Sequence, residues 1–298
     1  MQNLKQKKLQ IGLLHSIKAK LSNLVFFDQW ILMFDLQDDI SRSFWKFKKI
    51  IPPKDRLWAD PLVIYKNDKY YIFIEELLYS NKKGYIALMI MDEQGKYTKP
   101  EKILERPYHL SYPFVFEYKE DYYMIHGDPT NKTVEMYKCI EFPRKWEFYK
   151  KLIEGIKAVD ATLFYHQNKW WLFVGVPNYE GVTRWDELFL FYTDNPLSDR
   201  WMPHPQNPIV SDVRKARPAG RIFEYDKNIF RPAQNGSKSY GYGLSFNRID
   251  VLNEKEYQER EIESIQPTWD RKITGIHTFN HANRLTLIDA KLRRVRYI

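Results

Sequence analysis

The chain reads as an all-β protein, a five-bladed β-propeller whose N- and C-terminal strands together close the last blade. Three observations predict this. A two-strand hairpin recurs along the chain, a further strand pair follows each copy, and the two ends carry strand-like segments with no blade of their own. About four strands in each repeat of roughly 50 residues is the pattern of propeller blades.

Residues 1–27 come first as a basic segment, with Lys5, Lys7 and Lys8 ahead of the short apolar run Ile11 to Leu14. His15, Lys18 and Lys20 interrupt that run and no small-residue cleavage site follows, so a signal peptide is not expected. Residues 4–21 have the pattern of a short amphipathic helix lying weakly on an anionic membrane surface, with a solvated tail as the alternative. Residues 28–298 then form one domain. Its first strand-like stretches are Gln29 to Leu36 and Trp45 to Ile51.

The repeats follow in order. Asp60 to Tyr65, a turn, and Tyr70 to Glu75 make the first hairpin; Tyr112 to Glu117 and Tyr122 to Gly127 make the second. Asp160 to Tyr165 with Trp170 to Gly175 is the third, and Ala219 to Glu224 with Ile229 to Gln234 the fourth. A degenerate fifth runs from about Gly275 through His277 and Phe279 to Leu285 and Asp289. Further strands are expected at Tyr85 to Met91, Val134 to Ile140, Leu188 to Thr193 and Tyr242 to Arg248. After the fifth hairpin only a short strand, Arg294 to Tyr297, is expected. Pairing it with the N-terminal strands would leave no open sheet edge.

Composition narrows the function classes. Aromatic residues make up 16% of the 298-residue chain, which suits strand packing and also the stacking of sugar rings. The single cysteine, Cys139, permits no internal disulfide, and no Cys/His cluster has zinc spacing, so neither a metal nor a cofactor is expected. A reducing, cytoplasmic location fits, peripheral to the membrane if the N-terminal helix forms. The net charge of +9 points to an anionic partner or simply to lysine-rich composition. Only the two ends, Lys5 to Lys8 and Lys291 to Arg296, look like basic patches. No nucleic-acid-binding motif accompanies the charge, so nucleic acid is not an expected partner.

Registering the repeats predicts the residues at the channel mouth. Inner strands begin at Asp60, Tyr112, Asp160, Ala219 and about Gly275, and second strands end at Glu75, Gly127, Gly175 and Gln234. Asp60 and Asp160 at matched register, with Glu75 and Glu76 nearby, would give inward-facing carboxylates. Glycosyl chemistry needs such groups to protonate a leaving oxygen and to activate or replace water. The structural alternative is that these aspartates bond backbone amides between blades. His109, Asp128, Asp212, Arg214, Arg217, Arg231, Gln234 and His277 fall in loops or strand ends expected on the same face. The arginines would clamp an anionic group such as the phosphate of a sugar nucleotide, or pair with the acids as a structural network.

The motifs Trp58-Ala59-Asp60-Pro61, Phe73-Ile74-Glu75-Glu76, His109-Leu110-Ser111-Tyr112-Pro113, Val159-Asp160-Ala161-Thr162, Ala216-Arg217-Pro218-Ala219-Gly220 and Arg231-Pro232-Ala233-Gln234 carry a resemblance over about residues 28 to 290. The chain resembles the propeller domain at the N-terminus of plant glucosamine inositolphosphorylceramide transferases. That domain is similar in turn to the five-bladed clan of arabinanases, xylosidases, invertases and levansucrases. The resemblance implies Asp60 as base or nucleophile and Asp160 as the assisting acid. The family usually has Pro-Glu where this chain has His126-Gly127, so one expected carboxylate is missing; Asp128, Glu75 or Glu76 are the candidates to replace it. Two function classes follow. One is a carbohydrate-active enzyme of glycan assembly or trimming, by glycosyl transfer or hydrolysis. The other is a non-catalytic glycan-binding propeller supporting a partner glycosyltransferase.

Overall fold

In the computed structural model, which describes residues 25–176 and 187–296, the chain forms five antiparallel sheets around one axis. The first blade comprises Arg56–Lys66, Lys69–Leu78, Gly84–Asp92 and Glu101–Leu104, and the second Phe114–Tyr118, Asp121–Asp128, Thr133–Glu141 and Lys145–Glu154. The third has Val159–His166, Lys169–Gly175, Glu187–Thr193 and Met202–Pro203, plus Val210–Ser211 on Glu187–Thr193. The fourth has Phe223–Tyr225, Asn228–Asn235, Gly243–Leu252 and Tyr257–Ile265. Among the described residues there is no α-helix, and no helix is long and apolar enough to cross a membrane. The N-terminal helix expected within residues 4–21 lies outside the described residues.

Local chemistry explains the hairpins. In the first four blades the inner turn places two successive residues at positive φ: Asn67 and Asp68, Lys119 and Glu120, Gln167 and Asn168, Asp226 and Lys227. That is the two-residue turn whose twist matches the flanking strands, and Asn and Asp tolerate it best.

Closure joins the two ends as expected, with a different strand. Leu285–Val295 pairs with Phe26–Leu36 residue for residue, from Phe26 opposite Val295 to Leu36 opposite Leu285. The second strand of the fifth hairpin therefore continues unbroken to Val295, and no separate strand begins at Arg294. The expected strand Trp45 to Ile51 is a 3-10 turn at Phe44–Lys46 and a short strand, Lys48–Ile50. The C-terminal basic run is not a free patch either. Arg293 pairs with Asp28 at 3.2 Å, and Arg294 donates to Gln29 and to the Pro52 carbonyl.

The core is divided among the seams between neighbouring blades. Phe73, Leu88, Met124 and Trp146 pack between blades one and two, and Phe114, Ile125, Leu163 and Leu172 between two and three. Trp171, Leu190 and Ile249 fill the third seam, and Ile276, Phe279 and Leu244 the fourth. Leu32, Phe34, Ile72 and Leu287 seal the last seam with the first blade. Cys139 is buried in the first of these seams. The aromatic content predicted from composition is spent largely here. Both Leu32→Ala, at the closing seam, and Phe73→Ala are expected to cost about 2–5 kcal/mol as cavity-forming core truncations. Guanidinium unfolding midpoints measure this, and an unchanged midpoint for Leu32→Ala would mean that the N-terminal strand is not part of the ring.

Candidate functional site

The inner strands of blades one, three and five each carry a bulge near their start. Register slips between Ala59 and Leu62, between Val159 and Thr162, and between Ile276 and Phe279. The first bulged residues are Asp60, Asp160 and His277, so the equivalent position in the fifth blade is His277 rather than the expected Gly275. A bulge re-aims a side chain. Asp60, Tyr112 and Asp160 also share a left-handed backbone, with φ of 49°, 50° and 53°. For non-glycine residues such a conformation costs about 1–3 kcal/mol and persists only where its surroundings hold it. In the fourth blade the neighbouring position is Gly220 at φ 126°, where a Cβ would lie 2.0 Å from the Phe279 carbonyl oxygen.

These strand starts open into a cavity of about 520 Å³ lined by Asp60, Glu75, His109, Asp128, Asp160, Arg217 and His277, all expected from sequence. Trp30, Ser111, His126 and Tyr240 line it as well. Asp60 and Glu75 are crowded together on one wall, since Glu75 pairs across the hairpin with Ala59, the residue before Asp60. Burial, followed by the neighbouring acid, drives Glu75 well above the usual carboxylate range. Burial also raises Asp60 to about 6, against the opposing pull of the His277 imidazolium. His109 accepts the Gly84 N–H at Nδ1, 2.9 Å, so its proton sits on Nε2, 3.3 Å from Glu75 Oε1. On the other side, His277 Nε2 lies 3.5 Å from Asp60 Oδ1 and its Nδ1 2.6 Å from Asp289 Oδ2. The latter contact is too bent for a hydrogen bond and acts as an ion pair. The result is a chain of groups: His109, Glu75, Asp60, His277, Asp289.

Asp289 carried no signal beyond its place in the degenerate repeat, yet it anchors the site. Fully buried, it accepts N–H groups from His277 at 3.1 Å and Thr278 at 2.9 Å on Oδ1, and from Asp60 at 2.9 Å on Oδ2. It thereby fixes the strained Asp60 backbone. Although burial lowers the His277 pKa, Asp289 and Asp60 outweigh it and hold the imidazole above its ordinary value. Trp30 stacks on the same ring at 4.0 Å, and Tyr240 meets it edge-on at 5.2 Å. Asp60, His277 and Asp289 each bring one ligand-type atom within 4.8 Å of the others. Both Asp289 oxygens already face N–H donors, which makes the trio an anchored acid–histidine pair more than a cation cage.

Asp160 is bound up differently. It accepts from Arg217 Nε and, at 2.9 Å, from Gln234 Nε2, which also donates to the Pro218 carbonyl. Tyr112 lies beneath the cavity. Its hydroxyl is 2.8 Å from Thr162 Oγ1 and accepts the Gly220 N–H at 2.7 Å, tying blades two, three and four. The carboxylate of Asp128 closes its own turn by accepting the Thr130 and Asn131 N–H groups.

Four expected residues stand apart. Glu76 points to the other face of its strand and pairs with Arg56 at 2.7 Å. Arg214 is exposed and grips Asp212 two residues before it, at 2.7 Å, so neither reaches the cavity. Arg231 is buried in the fourth blade in a two-pronged pair with Glu259, at 2.7 and 2.8 Å. The expected multi-arginine anion clamp is thus dispersed: of Arg214, Arg217 and Arg231, only Arg217 lines the cavity. The period-two alternation of a strand separates Glu75 from Glu76, but nothing local predicts which carboxylate each arginine meets.

His126 is the residue the sequence underrated. Its Nδ1 lies 2.8 Å from the Ser111 carbonyl, which requires the proton there and leaves Nε2 an acceptor. That Nε2 is buried with no hydrogen-bond partner. Burial lowers its pKa, so the ring is neutral at pH 7. The neighbouring Gly127 has a steric cause: a Cβ there would sit 2.8 Å from the Ala158 carbonyl oxygen. Blade three occupies the space that a glutamate at this position would need.

Comparison with known proteins agrees with the resemblance. The family described as Glucosamine inositolphosphorylceramide transferase 1, N-terminal, matches residues 52–298. Glucosamine inositolphosphorylceramide transferase 1 of Oryza sativa subsp. japonica is 32% identical over 204 residues, 67% of this chain and 27% of the rice protein. The Arabidopsis thaliana protein of the same name is 31% identical over 207 residues, again 27% of its length. Among solved structures, a family 117 glycoside hydrolase of Zobellia galactanivorans shares the fold with a TM-score of 0.56 at 12% identity, over 90% of both chains. A GH43 beta-xylosidase/alpha-arabinofuranosidase from a compost metagenome reaches 0.58 at 12% identity, over 80% of this chain and 90% of its own.

Asp289→Asn removes the charge that sustains the His277 imidazolium. The His277 ring, followed by NMR titration, is expected to fall from above its ordinary pKa of about 6.5 to below it. Breaking this buried pair should also cost about 3–5 kcal/mol. An unchanged titration would refute the anchoring role.

Proposed function

The chain belongs to the family of the N-terminal region of glucosamine inositolphosphorylceramide transferase 1, and from that premise we propose that its channel mouth is a carbohydrate-active centre in which Asp60 is the general base. The observation that carries this reading is the pair of buried carboxyls, Asp60 and Glu75, on one wall of the cavity, with burial raising Asp60 to about 6. A base with a pKa slightly below neutrality is ionised at pH 7 yet basic enough to take a proton from a hydroxyl in flight. Asp60 accepts the proton of water or of a sugar hydroxyl as that oxygen attacks the anomeric carbon, in hydrolysis or transfer respectively, while the bond from that carbon to the leaving oxygen breaks and the leaving oxygen takes its proton from solvent.

Glu75 takes a different role from the proton donor expected of it. Two carboxyls flanking a scissile glycosidic bond stand about 5 to 9.5 Å apart, across the bond, whereas Glu75 is crowded on the same wall as Asp60. Glu75 therefore acts as the protonated neighbour of Asp60, held above its usual range by burial and by the Asp60 charge. Asp160, held by Arg217 and Gln234, orients the sugar or steadies the wall. The free Nε2 of His126 accepts a sugar hydroxyl, and the Trp30 and Tyr240 rings border the site as apolar surface. Among the described residues Arg217 alone brings a guanidinium to the cavity, and it is already on Asp160, which favours a neutral, hydroxyl-rich sugar over an anionic one.

The second reading, a non-catalytic glycan-binding module, is favoured by the saturated pairing of Asp160. A screen of sugar nucleotides and glycosides by thermal shift, followed by turnover, separates the two. The stabilising sugar should be consumed by the wild type and not by Asp60→Asn, at a cost of 100-fold or more, roughly what a general base contributes. Stabilisation without turnover would leave the binding reading standing and overturn the enzymatic one.

The pair also dictates a pH dependence. Turnover should rise as Asp60 ionises through pH about 6. A carboxyl whose pKa is raised on folding carries a penalty that is absent below the unfolded value, grows as pH rises from the unfolded toward the folded value, and is constant above it. Glu75→Gln keeps a hydrogen-bond donor beside Asp60 and removes that penalty. Its melting temperature relative to wild type is expected to increase from pH 5 to pH 8, while the acid limb of turnover, set by Asp60, stays near pH 6. A constant difference across that range would mean that Glu75 does not titrate with Asp60.

A further inference from the structure

The channel has a second mouth. Inner strands run from the bulged residues toward the hairpin turns, and four residues of strand separate Asp60 from Ile64, about 13 Å. At that far end Ile64, Phe114, Phe116, Phe164, Trp170 and Arg221 line a distinct cavity of about 300 Å³. None of its lining is shared with the acidic site.

Arg221 is the unusual member. Its main-chain N–H is bound by Asn280 Oδ1 at 3.1 Å, and Nη2 donates to the Val115 carbonyl at 2.6 Å. The guanidinium lies 4.6 Å over the Phe114 ring. Among the described residues no carboxylate pairs with it. Burial pulls its pKa down to about 10, and only the distant Tyr112 opposes that shift. Arg231, fully buried, and Arg217 each hold a carboxylate. A half-buried guanidinium that lines a cavity and holds a backbone carbonyl in place of a carboxylate is arranged to receive an anion.

The wall opposite is aromatic and rigid. Trp170 packs against Phe116 at 5.6 Å, Tyr118 at 5.7 Å and Tyr165 at 5.1 Å. Glu117 also lines the cavity, at its exposed rim, where the Tyr122 hydroxyl engages its carboxylate at 2.6 Å. We propose that this far mouth is a second binding site for a small ring-bearing carboxylate, its charge on Arg221 and its ring against the Phe116–Trp170 wall. Aromatic faces take flat apolar or sugar rings equally well, whereas the single guanidinium takes one carboxylate.

Isothermal titration of the full chain with benzoate, benzyl alcohol and inorganic phosphate tests this. Benzoate should bind saturably, at least tenfold more tightly than either control. Arg221→Gln should weaken it tenfold or more, and Trp170→Leu should weaken benzoate while leaving phosphate unchanged. Asp60→Asn, at the other mouth, should leave it as in the wild type. Should Arg221→Gln fail to fold, Arg221→Lys with Trp170→Leu carries the same comparison. The proposal fails if benzoate does not saturate, if benzyl alcohol or phosphate binds as well, if binding survives loss of the guanidinium, or if Asp60→Asn abolishes it.

Discussion

The Asp289 carboxylate accepts N–H groups from the fifth blade and from Asp60, 229 residues earlier in the chain. That reach exists only because the ring is closed. Leu285–Val295, the strand that carries Asp289, pairs on one side with the fifth blade's inner strand and on the other with Phe26–Leu36. The first blade's seam with these strands is then sealed by Leu32, Phe34, Ile72 and Leu287. Closure thus brings to one point the carboxylate, the strained Asp60 backbone and the His277 ring stacked on Trp30. A buried charge is tolerable there because it is hydrogen-bonded and paired.

Electrostatics across the channel then divide into two environments. At the acidic mouth, buried carboxyls crowd one another, burial holds Glu75 well above the usual carboxylate range, and His277 offsets part of the remaining charge. Arg217 neutralises Asp160 and leaves Asp60 to respond to its other neighbours. At the far mouth Arg221 forms no ion pair with a carboxylate among the described residues. The same repeated inner strand therefore presents opposite charge preferences at its two ends, about 13 Å apart.

Much of the fold was legible because propeller repeats are written in local chemistry. Aromatic and β-branched strands, two-residue turns such as Asn67-Asp68, and matched starts at Asp60, Tyr112 and Asp160 all follow from sequence and recur in the coordinates. The fifth copy was misregistered by two residues, because its bulge falls at His277 and no Asp marks it. The site was legible in part. Asp60, Glu75, His109, Asp128, Asp160, Arg217 and His277 do converge. Arg214 and Arg231 do not, since each found a nearer carboxylate in its own blade.

Periodicity by itself determined the class of fold, the number of blades, and which strand ends lie near the axis, since these depend on residue type and spacing along one chain. Partnership was decided by the tertiary structure. Whether Asp289 reaches across the closure, why Gly127 admits no side chain and why Arg221 meets a backbone carbonyl of another blade are questions of distance between separate blades. Burial, which sets the charge state of each group, is likewise a property of the packed ring and of no single segment.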